Sequence, residues 1–530
     1  MIISGQNTYE GATLIKQGEL KLKGKVKNNA YVEQKAILSG NGIVGQNLNN
    51  KGIVRPGNED LNDLTVQGTY TQEGVDSKLQ LDFGNYKNSK LIAKTYDIKS
   101  GNLEYIPLPK YYILNKPVKI NLGDLEKSLS SFNHVLIQNT YALNFDFVLS
   151  DDLVSINKTL IKPNLKPNAY EIPNTSLGNA LRQLRSRADL SQTYQEFFAS
   201  LDNGIDVKTK LNRIEGSGYL STFSNHNQSN LMQNNMLFTL HPLNINNFAQ
   251  NNNILLASTY LPRIFSNEEY FWHLTPSYKY YKDKDFSGQK TGANISLGEN
   301  FSSGFLAYAL SLSSAKFNFN NGSDLKSYNM DLLLNYNHDL DFIKILSGLG
   351  IGVGFNTLNR FVVEQPIEGK YKTLQTSAQL GVTKDIILGQ DFIFNPLMYF
   401  THSFFYQEDF KENKSPFAKN YESLKHHSIN ANLGFNLAKN IEQDDYQASF
   451  STFVIFEKRI YGRTLENKAS FVDFPIAFIQ KYKLKDNILS QGFNSEFLYK
   501  NNVFWQFMLM NRFSHNAYEL HLMSSVGKRF

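Results

Sequence analysis

The sequence contains few side chains whose types and spacing could carry out a reaction. It has no Gly-x-Ser-x-Gly turn, no phosphate-binding loop and no calcium-binding loop. His426 and His427 are adjacent, so in an extended strand they face opposite sides and cannot bind one metal ion together. Because the chain has no cysteine, disulfides and thiolate metal sites are excluded. We therefore expect no catalytic residue, no metal ligand and no cofactor site, and a chain that is not an enzyme.

Length and composition favour a polar protein with several parts. The chain has 530 residues, of which 13% are aromatic and 19% are charged, and its mean hydropathy is −0.38. No apolar run approaches the roughly 20 residues that a membrane-spanning helix requires. A membrane barrel stays possible, because its alternating strands keep the average polar. The net charge of +6 is dispersed without a basic stripe, so nucleic acid is not an expected partner.

The last part of the chain, residues 268–530, repeats a strand pattern with one apolar and one polar face. One apolar face begins at Tyr328 and ends at Tyr336, and aromatic rings at both ends of an aliphatic run are typical of a bilayer. The pattern predicts twelve strands, with a possible thirteenth around residues 471–483, and bacterial barrels use even numbers. Five apolar faces illustrate it: Trp272, Leu274, Pro276, Tyr278, Tyr280; Tyr328, Met330, Leu332, Leu334, Tyr336; Ile429, Ala431, Leu433, Phe435, Leu437; Val503, Trp505, Phe507, Leu509; and Tyr518, Leu520, Leu522, Ser524, Val526, Lys528, Phe530.

The polar faces of these strands favour asparagine, serine and glycine, which suit a confined lumen better than bulk water. A soluble, secreted all-β protein is the alternative, and it would require this part of the chain to fold without detergent. The longest connections, residues 359–370 and 408–422, are expected to face the outside of the cell.

Residues 1–95 combine short strand patterns with turns rich in glycine and asparagine. Apolar and polar residues alternate in LTVQG (residues 64–68) and in KLQLDFG (residues 78–84). Short strands at close, regular spacing predict a coiled solenoid of parallel strands. An ordinary β-sandwich is the alternative interpretation of the same pattern.

After proline-rich residues around Pro163, Pro167 and Pro173, which predict a linker, the apolar period becomes helical. A small helical cluster is expected, with a membrane-surface helix as the alternative. The next segment, residues 225–253, is rich in asparagine and glutamine. The three helical stripes are Leu177, Leu181, Leu184; Leu190, Tyr194, Phe197, Leu201; and Val207, Leu211, Ile214.

Residues 4–24, SGQNTYEGATLIKQGELKLKG, resemble the passenger-associated repeat of autotransporters, the type V secreted proteins. The similarity consists of a Gly-x-Asn-Thr-Tyr-x-Gly turn, a strand, and a Gly-x-Leu-x-Leu segment. Residues 179–202 are similar to the linker of subtilisin-like autotransporters. Twelve strands and a C-terminal phenylalanine resemble the translocator of the same family.

The patterns and the resemblance together predict an all-β fold: a short right-handed parallel β-helix stub, a small helical linker and a 12-stranded antiparallel transmembrane β-barrel. We expect four parts. They are a passenger stub (1–95), a cap resembling an autochaperone (96–160), a linker with the helical cluster and a pore-threading segment (161–253), and the barrel (254–530).

The resemblance implies a translocator and anchor in the bacterial outer membrane, with the N-terminal part at the cell surface. Implied partners are outer-membrane lipid, the barrel-assembly machinery, periplasmic chaperones and the chain's own passenger. In the family the last strand is the assembly signal, which here corresponds to Leu522, Val526 and Phe530. The family's third residue from the end is usually aromatic, whereas this chain has Lys528.

Some barrels of this family cut their own passenger loose at an Asn-Asn bond near carboxylates. Asn234 and Asn235 lie in a suitable region, and Asp331 is an inward acid, but Asn-Asn pairs are frequent in this polar segment. A self-cleaving barrel and a surface adhesin anchored by its barrel are therefore alternative functions. The N-terminus lacks a signal peptide, so we expect the natural start, and any protease triad of the parent protein, to lie upstream of Met1.

Overall fold

The computed structural model describes two units, Met1–Lys208 and Thr209–Phe530. Among the described residues, no helix is long and apolar enough to cross a lipid bilayer. The residues that the structure describes are 1–57, 61–149, 156–171, 175–220, 222, 269–301, 304–340, 342–363, 365–388, 392–413, 415–443, 445–499 and 501–529.

The first unit is a stack of parallel strands followed by a small antiparallel sheet and helices. Thirteen of its strands belong to the stack, and every pairing among them is parallel. This confirms the parallel stub predicted from the sequence. The described strands of the whole unit, of which all but β13, β15 and β16 belong to the stack, are β1 Ile2–Ile3, β2 Gln6–Asn7, β3 Thr13–Leu22, β4 Lys25–Val26, β5 Ala30–Gly40, β6 Ile43–Val44, β7 Leu48–Asn50, β8 Ile53–Pro56, β9 Leu64–Gln72, β10 Lys78–Phe83, β11 Leu91–Ile98, β12 Asn102–Pro107, β13 Val118–Lys119, β14 His134–Ile137, β15 Leu143–Leu149 and β16 Ile156–Leu165.

Aliphatic side chains stack in register through the interior of the parallel strands. Leu20 pairs with Leu38, Leu38 with Val54, Val54 with Leu79, and Leu79 with Leu103. All five are buried. Burial of each side chain contributes on the order of 2 kcal/mol. Because each rung contacts only the rungs beside it, the stack gains stability one turn at a time.

Asn50 is one of the polar side chains buried in this interior. The Asn50 amide donates to the Tyr70 hydroxyl and to the Lys78 carbonyl, both at 3.0 Å, and its oxygen accepts from the Gly52 N–H at 3.0 Å. Asn50 is fully buried, so the network replaces water for every group it joins.

Replacing Asn50 with alanine should destabilise the first unit by about 1–3 kcal/mol, because the Gly52 N–H and the Lys78 carbonyl lose buried partners. Denaturant unfolding followed by circular dichroism measures the loss. Asn49→Ala on the same strand is the control, since the Asn49 side chain is only partly buried. Equal unfolding midpoints for the two variants would show that the Asn50 network adds no stability.

The C-terminal part of the first unit adds a three-stranded antiparallel sheet in the order β13-β16-β15, a 3₁₀ helix (Gly123–Ser131) and two α-helices. Helices α1 (Thr175–Arg185) and α2 (Gln192–Asp202) confirm the predicted apolar stripes. Pro163 was predicted to lie in a linker but lies in β16, opposite Phe145. A proline is tolerated there because β13 pairs only with Leu160 and Ile161.

A buried ion pair holds α1, α2 and the end of the stack together. The Arg185 guanidinium donates to Asp202 Oδ2 at 2.9 and 3.1 Å and to the Tyr112 carbonyl at 2.7 Å. The Tyr170 hydroxyl donates to Asp202 Oδ1, and the Tyr111 ring lies 4.1 Å from the guanidinium carbon. Burial raises the pKa of Tyr170, and the Asp202 charge raises it further, so the phenol stays a donor.

The second unit begins within α3 (Val207–Glu215), the third predicted helix, and consists mainly of one closed antiparallel barrel. Twelve strands form a ring in the order β17-β18-β19-β20-β21-β22-β24-β27-β28-β31-β32-β33, and β33 pairs back onto β17. This confirms the predicted twelve-stranded barrel. Its strands and their connections are β17 Glu269–Asp283, β18 Phe286–Phe301, β19 Gly304–Phe319, β20 Asp324–Asp339, β21 Lys344–Val362, β22 Gln365–Thr383, β23 Ile386–Leu388, β24 Phe392–Gln407, β25 Phe410–Lys411, β26 Lys419–Tyr421, β27 Leu424–Glu442, β28 Tyr446–Tyr461, β29 Thr464–Phe471, β30 Ala477–Lys483, β31 Asn487–Tyr499, β32 Val503–Ser514 and β33 Ala517–Arg529.

The two faces of the barrel strands are those predicted from alternation. On β20, the outward residues from Tyr328 to Tyr336 are mostly exposed, whereas Asn329, Asp331 and Asn335 between them are buried. A closed ring pairs the backbone groups of all its strands, which is the condition for β-structure in lipid. The outward face is therefore suited to a bilayer and the inward face to a polar lumen.

Long connections gather at one end of the barrel. We call the end where β17 begins and β33 ends the terminal end, and the opposite one the distal end. The two connections at 408–423 and 462–486 both lie at the distal end, and together they form a small sheet in the order β25-β26-β29-β30. The possible thirteenth strand at 471–483 belongs to this small sheet and not to the barrel.

Residues 359–370 were predicted to be a connection, and this prediction was wrong. Strands β21 and β22 continue to Val362 and from Gln365, so most of this segment is a paired extension of the hairpin. Each strand has 19 residues. At about 3.3 Å per residue, this length exceeds the thickness of the bilayer even for a tilted strand. The hairpin therefore projects at the distal end.

Candidate functional site

An extensive polar site of the second unit surrounds the end of α3 and the residues that follow it. The helix ends at Glu215, and Gly216 has a positive φ of 55° with its N–H donating to the Asn212 carbonyl at 3.1 Å. This is the usual glycine end of a helix. A Cβ on Gly216 would lie 2.8 Å from Arg360 Cδ, so glycine is required by the backbone and by its neighbour.

Arg360, on the projecting part of β21, is the centre of this site. Its Nε and Nη2 donate to the two Glu412 oxygens, each at 2.6 Å, in a bidentate pair whose side chains are fully buried. Its Nη1 donates to the carbonyls of Arg213 and Ile214 at 3.1 and 3.2 Å. Nη2 also donates to the Phe417 carbonyl at 3.0 Å. One guanidinium thus joins α3, the barrel wall and the first long connection.

Both hairpins of the small sheet, β25-β26 and β29-β30, also contact this segment. The Lys419 ammonium donates to the Glu215 carbonyl at 2.6 Å, and the Gln480 amide donates to the same oxygen. The Asn467 amide donates to the Tyr219 hydroxyl at 2.7 Å. The final carbonyls of α3, which have no partners within the helix, are therefore satisfied by side chains of the distal end.

We call Arg360, Glu412, Lys419, Asn467 and Gln480 the linker clamp. Two of its members are cations at the negative end of the α3 dipole, which is the favourable arrangement. Burial lowers the pKa of the Lys419 ammonium, the neighbouring Arg360 charge lowers it further, and the Glu412 charge opposes this shift. The clamp can hold a chain by hydrogen bonds, but it contains no nucleophile and base in contact.

Aromatic rings extend the contact to the next residues of the segment. The rings of Tyr371, Phe410 and Tyr421 stack in sequence, with centroids 4.5 and 4.3 Å apart. Tyr219 packs edge-on against Tyr421 at 5.7 Å. Because Tyr219 is buried and hydrogen-bonded, this residue is a second fixed point after α3.

A second polar cluster lines the barrel wall. Arg512 donates to Glu519 at 3.0 Å and to Glu457 at 3.3 Å, and a ring nitrogen of His521 lies 3.1 Å from the same Glu519 oxygen. These side chains come from the inward faces of β28, β32 and β33. Among the described residues there is no group of three or more side chains arranged to hold a metal ion.

The residues singled out from the sequence are only partly within the described chain. Leu522 and Val526 lie on the outward face of β33, as predicted, whereas Phe530 lies outside the described residues. Asn234 and Asn235 also lie outside them, so their role in cleavage stays a prediction. His426 and His427 face opposite sides, as predicted, but His427 lies 3.4 Å from His402 on β24, a cross-strand neighbour that adjacency in sequence does not reveal.

The linker clamp was missed by the sequence analysis. Arg360 was placed in a connection, where an arginine is ordinarily exposed. The alternation of β21 could have revealed Arg360, because continuing the pattern beyond residue 355 places this side chain on the inward face. Its partner Glu412 lies in a segment with no alternation, so nothing in the sequence pairs the two.

With this geometry established, comparison with known proteins shows what the barrel resembles. Residues 276–507 match the family model described as the autotransporter beta-domain. This segment is therefore similar to an autotransporter β-domain. The matched residues include strands from β17 to β32, and therefore most of the barrel wall.

Other known proteins are similar over a short segment or at low sequence identity. A segment of 59 residues is 44% identical to an extracellular serine protease of Serratia marcescens, and it covers 11% of this chain but only 6% of that protein. The translocator domain of the autotransporter NalP from Neisseria meningitidis is 14% identical, with a TM-score of 0.42, over 51% of this chain and 91% of that one. The transport unit of the autotransporter AIDA-I from Escherichia coli is 9% identical, with a TM-score of 0.34, over 57% and 98%.

Proposed function

We propose that this chain is a translocator and anchor that exports an attached passenger across the bacterial outer membrane. The observation that carries the proposal is the match of residues 276–507 to the autotransporter β-domain, in a segment that forms a closed barrel with an apolar outward face. The proposed role is transport and anchoring, not catalysis. The four-part division 1–95, 96–160, 161–253 and 254–530 is part of the same proposal.

The direction of export follows from the connections. In outer-membrane barrels the longer loops face outside and the short turns face the periplasm, so the distal end would face outside. The linker clamp holds residues 215–219 at the distal end, whereas β17 begins at the terminal end. We propose that residues 225–253 are the segment that threads the pore between these two ends. That segment lies outside the described residues.

Folding outside the cell would give the export its direction. The parallel stack is built from rungs that contact only their neighbours, so it can form turn by turn as the chain emerges. Each completed turn buries aliphatic side chains and makes retreat through the lumen less favourable. The linker clamp would then keep the last exported residues at the outer opening.

The proposed partners follow from the same function. Outer-membrane lipid would surround the outward face, and the passenger would be the N-terminal part of the chain. We further propose that the barrel-assembly machinery and periplasmic chaperones handle the unfolded chain, with Leu522, Val526 and Phe530 as the recognised residues. The chain matches 6% of the length of the Serratia marcescens protease, so the activity of any larger passenger is not assigned.

Two linked measurements test the proposed function. First, the full chain folded into detergent should migrate faster on a gel when unboiled, as closed barrels do. Second, cells expressing the chain behind a secretion signal, with an epitope tag before Met1, should expose the tag to external antibody and protease. The control is a chain ending at residue 516, which lacks β33 and cannot close the ring. A shifted band together with a tag that remains in the periplasm would contradict export while leaving the barrel intact.

A further inference from the structure

Two lysines on the outward face of the barrel face each other without an acid between them. Lys316 on β19 and Lys326 on β20 are directly opposite in register, and both side chains are exposed. Like charges at directly opposite positions destabilise a sheet. Among the described residues, no ion pair joins either lysine to a carboxylate. Asp324, two residues before Lys326 on the same face, accepts a hydrogen bond from Asn359 at 3.0 Å.

The position of this pair fits the headgroup region of a bilayer. Along β20 the outward residue after Lys326 is Tyr328, the first of the two tyrosines that bound the aliphatic run. Aromatic rings of this kind mark the boundary between hydrocarbon and headgroups. Lys326 is one outward position further toward the distal end, and Lys316 lies beside it. At this depth the lipid phosphates are the nearest partners for an unpaired positive charge, closer than bulk water.

An apolar crevice lies on the same outward face, below the lysines. It has a volume of about 740 Å³, and its lining includes Leu310, Leu332 and Ile351 on the three adjacent strands β19, β20 and β21. Leu297 and Leu349 also line it, and both are exposed on the outward face. The crevice is thus a groove for an apolar chain on an otherwise convex barrel wall.

The separation between lysines and crevice fits one leaflet. Leu332 is six residues from Lys326 along the same strand, which is about 20 Å at about 3.3 Å per residue. For a strand tilted by about 40°, this corresponds to a depth of about 15 Å, which is half of the hydrocarbon core. An anionic headgroup at the lysines would therefore place its acyl chains in the crevice.

We propose that this face of the barrel binds a lipid with a phosphorylated headgroup. Its phosphate lies between Lys316 and Lys326, and its acyl chains occupy the crevice at Leu310, Leu332 and Ile351. The proposal rests on the function proposed above, since it requires the barrel to span the outer membrane with its distal end at the outer leaflet. The two observations that support it, charge and crevice, are independent and lie on the same strands.

The test uses the full chain folded in a zwitterionic detergent and measures binding of a doubly phosphorylated, acylated glucosamine disaccharide (lipid A). Replacing both lysines by glutamine (K316Q/K326Q) should weaken binding by about tenfold or more. The control K425Q/K458Q removes two other outward lysines at the distal end that do not face each other, and it should change binding less than about twofold. Equal affinity of K316Q/K326Q and wild type would overturn the site.

Two further probes separate a lipid from a simple anion. Dephosphorylated lipid A should bind wild type about as weakly as lipid A binds K316Q/K326Q, and equal affinity for the two lipids would overturn the phosphate contact. Inorganic phosphate should not displace lipid A, because it cannot occupy the crevice, and full displacement would overturn the lipid assignment. The unboiled gel shift is measured first for every variant. Its absence in wild type would count against the membrane barrel itself, whereas a shift with unchanged lipid binding would refute this site alone.

Discussion

Replacing Arg360 with methionine is expected to destabilise the folded second unit by about 3–5 kcal/mol, because it leaves the Glu412 carboxylate buried without its cation. The same change removes three hydrogen bonds to the carbonyls of Arg213, Ile214 and Phe417. The measurement is the denaturant concentration at which the unboiled, faster-migrating band is lost. A second readout is protease cleavage near residue 216 in the folded protein, which should increase when the clamp opens.

Two further variants show whether the Arg360 effect comes from the buried pair. In R360M/E412M no charge is left buried, so much of the lost stability should return. Arg463→Met makes the same replacement at the distal end, but its ion pair with Asp486 is 3.8 Å long and half exposed at Arg463, so little should change. If R360M and R463M lose the folded band at the same denaturant concentration, the clamp does not stabilise the barrel.

Replacing Arg185 with methionine is the second large effect, and it concerns the first unit. The Asp202 carboxylate would keep only the Tyr170 hydroxyl as a partner in a fully buried site, and we expect a loss of about 3–5 kcal/mol. Denaturant unfolding of the full chain, followed by tyrosine fluorescence, measures the transition of the first unit. Arg187→Met is the matched control, because the Arg187–Asp189 pair is exposed.

The effect of Arg185→Met should also depend on pH. Burial raises the pKa of Asp202, and the Arg185 charge opposes that shift, so removing Arg185 raises the pKa further. A carboxyl group whose folded pKa lies above its unfolded value favours the folded state most at low pH, and this contribution is lost as the pH rises through the folded pKa. The difference between variant and wild type should therefore be largest near neutral pH and decrease toward about pH 4. A difference that is constant over this range would show that Asp202 is not the affected group.

The barrel could be predicted because its physical cause is periodic. Lipid outside and polar lumen inside impose an alternation that each strand repeats, so the outward run from Tyr328 to Tyr336 carried enough information by itself. The helices were predicted for the same reason, since Leu177, Leu181 and Leu184 follow a helical period. Periodic patterns specify which face of an element is buried.

The linker clamp could not be predicted because it depends on pairings that no local pattern encodes. Arg360 and Glu412 are 52 residues apart and meet only because a long connection folds back over the barrel opening. The strand pattern at 471–483 was visible, but alternation does not state which sheet a strand joins. In the same way, Pro163 was assigned to a linker because the sequence does not show where the β13 pairing ends.

The pairing of β17 with β33 has a consequence for the order of the chain. Phe271 lies opposite Arg529, so the first and last strands of the barrel end side by side. A circularly permuted barrel would have a short bridge between the end of β33 and the start of β17, and its chain would be opened between β32 and β33. It would retain every pairing between its twelve strands. The place where the ring closes is therefore set by the order of the strands in the chain and not by the geometry of the barrel. What the natural order provides is timing, because the strand that completes the ring follows the other eleven barrel strands in the chain.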